Sequence, residues 1–92
     1  MELINAKYNC HIFVCVNERE TGDCCSNKGI EILQILREHI NKNGLVAKYN
    51  VTKTKCLGHC AQGPVIAIYP QGFIFKKVSI NDTKKIIDEF LK

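Results

Sequence analysis

Residues 10 to 16 read Cys10-His11-Ile12-Phe13-Val14-Cys15-Val16, a short apolar run rich in β-branched and aromatic side chains. A run of this kind predicts a strand that is buried on both faces. Such a strand lies in the interior of its sheet, so we expect the rest of the fold to be built on either side of it. The polar stretch from Asn17 to Asp23, which contains Thr21-Gly22-Asp23, predicts a loop after this strand.

The segment from Gly29 to Asn41 predicts a helix, because its apolar residues recur at helical spacing and its charged residues lie elsewhere. Ser26 or Asn27 is a suitable cap for the start of this helix, and Asn43-Gly44 is a typical end. The face expected to pack against the sheet consists of Gly29, Ile32, Leu33, Leu36 and Ile40.

Three further strands are predicted in the second half of the chain. A second strand with one solvated face is indicated by the alternating apolar residues Leu45, Ala47, Tyr49 and Val51. Residues 52–63 are expected to form a loop. Val65–Tyr69 predicts a third, buried strand, and Phe73–Val78 predicts a fourth. The tight turn Pro70-Gln71-Gly72 joins these two strands into a hairpin.

A second helix is predicted at the C-terminus, where Ser79-Ile80-Asn81-Asp82 has the pattern of a capping box. Its expected inward face consists of Ile80, Thr83, Ile86, Ile87, Phe90 and Leu91. The predicted element order is therefore β-α-β-β-β-α. This order indicates an α/β fold of the α+β type, in which two helices pack on a mixed four-stranded sheet in the thioredoxin-like arrangement.

The composition is that of a globular domain. The chain has 92 residues, 46% of them hydrophobic and 24% charged, and a formal net charge of +4. We expect one domain that spans residues 1–92, without linkers or repeats. No apolar run approaches the roughly 18 residues of a membrane span, and residues 1–5 show no signal-peptide pattern, so we expect a cytoplasmic protein outside the membrane. The modest positive charge indicates an acidic partner surface but does not predict nucleic-acid binding.

Two of the six cysteines lie in Cys56-Leu57-Gly58-His59-Cys60, which is followed by Ala61-Gln62-Gly63-Pro64. In a reducing compartment such thiols favour metal ligation over disulfides. The glycines let the backbone approach a bound inorganic group and turn its N–H groups toward it. The nearby Lys53 and Lys55 would offset the negative charge of bound thiolates. The segment therefore predicts half of a four-thiolate site.

The other half is expected upstream, in the loop that follows the first strand. Cys15 ends that strand, and the adjacent pair Cys24 and Cys25 precedes the first helix. The position of Cys25 directly before the helix favours it over Cys24, which stays an alternative. Cys10 lies five residues before Cys15, hence on the opposite face of a regular strand, and is expected to be structural.

The spacing of the cysteines leaves other chemistries open. Zinc fits the spacing of Cys56 and Cys60 but fits the wide gap from Cys15 to Cys25 less well. The chain has no Cys-x-x-Cys motif, which argues against thioredoxin-type disulfide exchange. His59 is a candidate replacement ligand, although a role in tuning the site is expected instead. The alternatives to an iron–sulfur protein are a structural zinc or metal-sensing module and a cluster-free adaptor or nucleic-acid binder.

Four stretches carry a resemblance to a known family. They are His11-Ile12-Phe13-Val14-Cys15-Val16, Cys25-Ser26-Asn27-Lys28-Gly29, Lys55-Cys56-Leu57-Gly58-His59-Cys60-Ala61-Gln62-Gly63-Pro64-Val65 and Ile68-Tyr69-Pro70-Gln71-Gly72. Together they resemble the thioredoxin-like [2Fe–2S] ferredoxins. The resemblance extends from Cys10 to the C-terminal helix, and the same domain is similar to the small iron–sulfur subunit of respiratory complex I and of related hydrogenases.

The resemblance implies a function and a ligand set. The implied ligands of the [2Fe–2S] cluster are Cys15, Cys25, Cys56 and Cys60, and Gly29, four residues after Cys25, favours Cys25 over Cys24. The implied role is one-electron transfer to redox partner proteins, either alone or within a larger oxidoreductase system, rather than catalysis. Family members that stand alone are often homodimers. By analogy with other all-cysteine clusters, the potential should be low, on the order of −400 mV.

Overall fold

A computed structural model of the chain describes residues 1–16, 26–55 and 63–91. Six elements follow one another in the predicted order: β1 (Cys10–Cys15), α1 (Ser26–Lys42), β2 (Tyr49–Thr54), β3 (Ile66–Tyr69), β4 (Phe73–Phe75) and α2 (Asp82–Phe90). The four strands form one sheet in the order β2-β1-β3-β4. No helix among the described ranges is both long and apolar enough to cross a membrane.

Strand β1 lies in the interior of the sheet, as its apolar run predicted. It is not buried on both faces as expected, because His11 and Phe13, on the face away from the core, are only partly buried. It runs parallel to β2, with Ile12 opposite Val51, and antiparallel to β3, with Ile12 opposite Ile68. β4 pairs antiparallel with β3, which confirms the predicted hairpin and the mixed sheet. Since β2 and β4 are the outer strands, β1 and β3 are the strands with a neighbour on both sides.

Both helices pack on the same face of the sheet, since side chains of both helices and of the strands belong to one hydrophobic core. The side chains that β1 directs toward this core are those of Cys10, Ile12 and Val14. Between the strands and the helices lie Ile32, Leu33, Leu36, Ile40, Tyr49, Val51, Ile66, Ile68, Val78, Ile86 and Leu91. The predicted inward face of α1 is thus confirmed.

The opposite face of the sheet carries no helix among the described residues. His11 and Phe13 of β1 stack on this helix-free face with ring centroids 4.2 Å apart, and Tyr69 meets Phe13 edge to face. The His11 ring nitrogen Nε2 lies 2.8 Å from the Thr52 hydroxyl. Partial burial lowers the pKa of His11 below its ordinary value, because desolvation disfavours the imidazolium.

The boundaries of α1 and β2 differ from the prediction. α1 begins at Ser26 rather than Gly29, so Ser26 and Asn27 lie within the helix and not before it. β2 begins at Tyr49, and Ala47 is exposed in a turn. The reason is that the N–H of Leu45 donates to the Ile40 carbonyl, while the Leu45 carbonyl accepts from the N–H groups of Lys48 and Tyr49. These bonds hold residues 45–48 in a turn instead of an extended strand.

The other corrections follow from sheet pairing. β2 continues to Thr54, although residues 52–63 were predicted as a loop, because its parallel pairing with β1 extends to Cys15. β4 ends at Phe75 rather than Val78, and Lys77 follows with a φ of 53° that no strand adopts. Ile80 was predicted to face inward but is 38% exposed, since it precedes the first turn of α2.

The capping box before α2 is confirmed. The backbone N–H of Ser79 donates to Asp82 Oδ2 at 2.9 Å, and the N–H of Asp82 lies 3.2 Å from Ser79 Oγ. The bond from the Ser79 N–H lowers the pKa of Asp82, because it favours the carboxylate. Two side chains therefore satisfy each other's backbone donors at the point where the chain turns into the helix.

Three positions with positive φ give a test of the backbone conformation. Gly44 (64°) and Gly72 (76°) have no atom within 4 Å of an added Cβ, whereas the third position, Lys77, already carries a side chain. Gly44→Ala and Gly72→Ala should each lower the free energy of unfolding by about 1 kcal/mol through backbone strain alone. Lys77→Gly should raise it by about 0.5 kcal/mol. Native-state hydrogen exchange measures all three, and a destabilised Lys77→Gly variant would contradict the assigned φ.

Candidate metal centre

Cys15 marks the end of the sheet at which three chain segments meet. Its side chain is fully buried, and its backbone N–H donates to the Val65 carbonyl at 3.1 Å. The N–H of Val16 donates to the Thr54 carbonyl at 2.9 Å. The ends of β1 and β2 therefore lie beside Val65, the residue directly before β3, and we call this part of the chain the approach to β3.

The other predicted thiols are joined to this end of the sheet by short stretches of chain. Cys56 comes two residues after Thr54, and Cys60 comes five residues before Val65. Cys25 directly precedes Ser26, the first residue of α1. Because the Leu45 N–H ties the last turns of α1 to the beginning of β2, the first turn of α1 lies toward the Cys15 end.

Five predicted site residues lie outside the described part of the chain: Cys24, Cys25, Cys56, Cys60 and His59. Of the four proposed ligands, Cys15 alone falls within it. Accordingly, residues 1–16, 26–55 and 63–91 contain no group of three histidine, cysteine or acidic side chains that could hold a metal ion. The structure thus locates one of the four predicted ligands and the chain ends that lead to the other three.

The side chain of Cys15 does not belong to the helix-side core. Successive side chains of a strand alternate between its faces, and the core cluster contains Cys10, Ile12 and Val14 but not Cys15. A fully buried thiol at the end of an interior strand fits the soft thiolate donor that an iron–sulfur cluster requires. The residues present at this end of the sheet therefore fit a four-thiolate cluster.

Cys10 occupies a different environment, as its position in the strand predicted. It is buried in the helix-side core, where its Sγ accepts from Gln71 Nε2 at 3.2 Å and lies 3.7 Å from the Phe90 carbonyl. These contacts tie β1 to the turn between β3 and β4 and to the last turn of α2. The structural role expected for Cys10 agrees with this position.

Neither described histidine belongs to the site. His11 lies on the helix-free face at the opposite end of β1 from Cys15. His39 links the two helices, with Nε2 3.1 Å from the Leu91 carbonyl. The sequence predicted no catalytic partner for either residue, and within the described ranges their rings form hydrogen bonds with Thr52, Leu91 and Asn43.

Two lysines near the site were missed in the sequence. Lys76 and Lys77 follow β4, and the next residue, Val78, donates its N–H to the Pro64 carbonyl at 3.0 Å. Pro64 follows the segment that carries Cys56 and Cys60, so these lysines lie at the Cys15 end of the sheet. The only sequence signal was the hairpin register, because about twenty residues separate the lysines from Cys56 along the chain.

Comparison with known proteins places the chain in a family. The family model for thioredoxin-like [2Fe-2S] ferredoxins matches residues 4–91. A 2Fe-2S ferredoxin of Clostridium pasteurianum is 31% identical over 94 residues, which cover 98% of this chain and 90% of that protein. A 2Fe-2S ferredoxin of Aquifex aeolicus is 32% identical over 87 residues, with coverage of 89% and 78%.

Solved structures agree with these sequence relatives. The wild-type thioredoxin-like [2Fe-2S] ferredoxin from Aquifex aeolicus superimposes with a TM-score of 0.80 at 31% identity, covering 94% of this chain and 87% of that chain. A second structure of a thioredoxin-like [2Fe-2S] ferredoxin from that organism gives 0.81 at 32% identity, with coverage of 95% and 83%. Ferredoxins carry electrons on an iron–sulfur cluster and are not enzymes, and these relatives give no support to the zinc alternative. The chain belongs to the thioredoxin-like [2Fe–2S] ferredoxin family.

Proposed function

We propose that this protein carries single electrons between redox partner proteins on a [2Fe–2S] cluster held by Cys15, Cys25, Cys56 and Cys60. The observation that carries the ligand assignment is the meeting of β1, β2 and the approach to β3 at the buried Cys15. From this point the chain needs few residues to reach each of the other three cysteines. The segment from Cys15 to Cys25 and the segment from Cys56 to Cys60 would then each supply two thiolates.

Side chains near Cys15 would stabilise a negatively charged cluster at this end of the sheet. When bound, the cluster supplies a reversible one-electron couple. Four thiolates bring negative charge, which the exposed Lys53 and Lys55 at the end of β2 reduce. The buried position of Cys15 limits access of water to its sulfur. These residues hold the centre and set its electrostatic environment, and no general acid or base is required for electron transfer.

A redox titration tests the function directly. Anaerobically purified protein, titrated in a spectroelectrochemical cell, should show a single reversible step of one electron per chain at a low potential, on the order of −400 mV. The visible absorption should bleach in proportion to the electrons taken up. A protein without any reversible visible step would contradict the proposal.

The choice between Cys24 and Cys25 has its own test. Cys25→Ser should alter the visible spectrum, because an oxygen ligand replaces a sulfur ligand and changes the charge-transfer bands. Cys24→Ser is the matched control, one residue away and chemically identical, and should keep the parent spectrum. The reverse result would assign Cys24 as the ligand.

We also propose that the protein forms a single domain over residues 1–92, acts in the cytoplasm and associates as a homodimer. Six cysteines suit a reducing compartment. The dimer is supported by the family resemblance and by the apolar side chains left on the helix-free face, where Tyr69 is 46% and Ile74 is 42% exposed. Sedimentation equilibrium should give twice the chain mass of 10.4 kDa, and a monomer at every concentration would contradict the dimer.

A further inference from the structure

We propose that Lys53, Lys55, Lys76 and Lys77 form a lysine rim around the Cys15 end of the sheet, and that this rim docks an acidic redox partner. The inference rests on the proposed electron-transfer function and adds the chemistry of the partner. It also adds Lys76 and Lys77 to the two lysines noted in the sequence, since the pairing of β4 with β3 brings them to this end of the sheet.

The rim is defined by the two outer strands. Lys53 pairs in register with Val14, one residue before Cys15, and Lys55 directly follows β2. At the opposite edge of the sheet, Phe75 of β4 pairs with Ile66, and Lys76 and Lys77 come next in the chain. Because β2 and β4 are the two outer strands, the lysines flank the Cys15 end from both sides.

All four lysines are exposed and available to a partner. Within the described ranges none of them forms an ion pair, whereas Lys42 pairs with Glu38 and Lys85 with Asp82. The segment from residue 17 to residue 25 adds Glu18, Arg19, Glu20 and Asp23 to the nearby chain. The four lysines and these four side chains together still carry a positive formal charge.

The position of the rim gives the lysines a role beyond solubility. An electron leaves a buried centre by the shortest path to the surface, so the partner must approach the Cys15 end of the sheet. Positive side chains around that approach attract an acidic surface and raise its rate of productive encounter. They also orient it, because the two sides of the rim lie on opposite edges of the sheet. The formal net charge of +4 favours the same class of partner.

Electron transfer to small charged oxidants tests the rim without a known partner. Reduced holoprotein is mixed by stopped flow with anionic tris(oxalato)cobaltate(III) or cationic hexaamminecobalt(III). One electron leaves the reduced cluster and converts Co(III) to Co(II), with no bond made to the protein. The rim variant is Lys55→Gln/Lys76→Gln, which leaves Lys77 and its positive φ unchanged.

The matched control is Lys7→Gln/Lys48→Gln, which removes the same charge from the far end of the sheet. Both control positions lie there, because the Asn9 N–H donates to the Lys48 carbonyl before β1 and β2 begin. At about 10 mM ionic strength the rim variant should react roughly ten-fold more slowly with the anionic oxidant and faster with the cationic one. The control should change either rate by less than about two-fold, and all differences should vanish near 1 M salt.

Each other result overturns the proposal in a distinguishable way. Equal effects of the rim and control variants would show that net charge alone matters and that the rim is not the approach. A preparation with no reducible cluster would overturn the proposed function and the rim together. In a second arm, holoprotein is mixed with fluorescent poly-glutamate or with a fluorescent DNA duplex. Rim-dependent binding of poly-glutamate supports the proposal, whereas rim-dependent binding of the duplex alone would assign the lysines to nucleic acid.

Discussion

Cys15→Ala is expected to yield protein with about a tenth or less of the parent iron content, since an all-cysteine cluster needs each of its four thiolates. Alanine is chosen over serine because it offers no oxygen ligand. Cys15 is fully buried at the end of β1, and Cys10, the other cysteine in the described part of the chain, faces the helix-side core and cannot take its place. Iron analysis and visible absorption after anaerobic purification measure the loss.

Cys10→Ala is the matched control for this loss. Cys10 lies on the same strand and is equally withdrawn from solvent, at 3% exposure, but its side chain faces the helix-side core. The variant should keep its full iron content and spectrum, and its free energy of unfolding should fall by about 1 kcal/mol through the lost packing. If both variants lost iron equally, the loss would reflect a disturbed fold, and Cys15 could not be assigned as a ligand by this route.

Ile12→Ala should produce the largest loss of stability among the core substitutions considered, about 3 kcal/mol. Ile12 is fully buried at the centre of β1, opposite Val51 on one neighbour and Ile68 on the other. Truncation leaves a cavity between the sheet and the helices that rigid neighbouring strands cannot fill. The free energy of unfolding of a native protein is typically about 5–15 kcal/mol, so this loss is a large part of the stability of the domain.

Ile30→Ala makes the same chemical change on α1, where the side chain is 41% exposed, and should cost less than about 1 kcal/mol. Loss of the cluster on unfolding is often irreversible, so native-state hydrogen exchange of the holoprotein is the suitable measurement. The slowest amides of β1 and β3 report the global opening. A cost at Ile30 equal to that at Ile12 would contradict the central place of β1.

Local sequence patterns were sufficient for the parts of the fold that depend on local chemistry. The apolar run around Ile12 predicted the interior strand, and the pair Ser79 and Asp82 predicted the start of the second helix, because each signal acts within a few residues. The hairpin of β3 and β4 was likewise predicted from Pro70-Gln71-Gly72, where Gly72 has a positive φ and donates its N–H to the Ile68 carbonyl at 2.8 Å.

Features that depend on contacts between residues far apart in the sequence were predicted less well. Leu45 and Ala47 have the alternation of a strand, but hydrogen bonds back to the end of α1 hold them in a turn. Residues 52–54 were predicted as the start of a loop and are extended because β1 lies beside them. For the candidate site, the sequence predicted the four ligand cysteines, whereas Lys76 reaches this end of the sheet only through the register of β4 on β3.

The most direct test of the central claim is a determination of iron, acid-labile sulfide and zinc in protein purified under anaerobic conditions. A [2Fe–2S] cluster on four cysteine thiolates predicts about two irons and two labile sulfides per chain, with no stoichiometric zinc, in a reddish-brown solution. A colourless protein that holds about one zinc per chain and no labile sulfide would contradict the account.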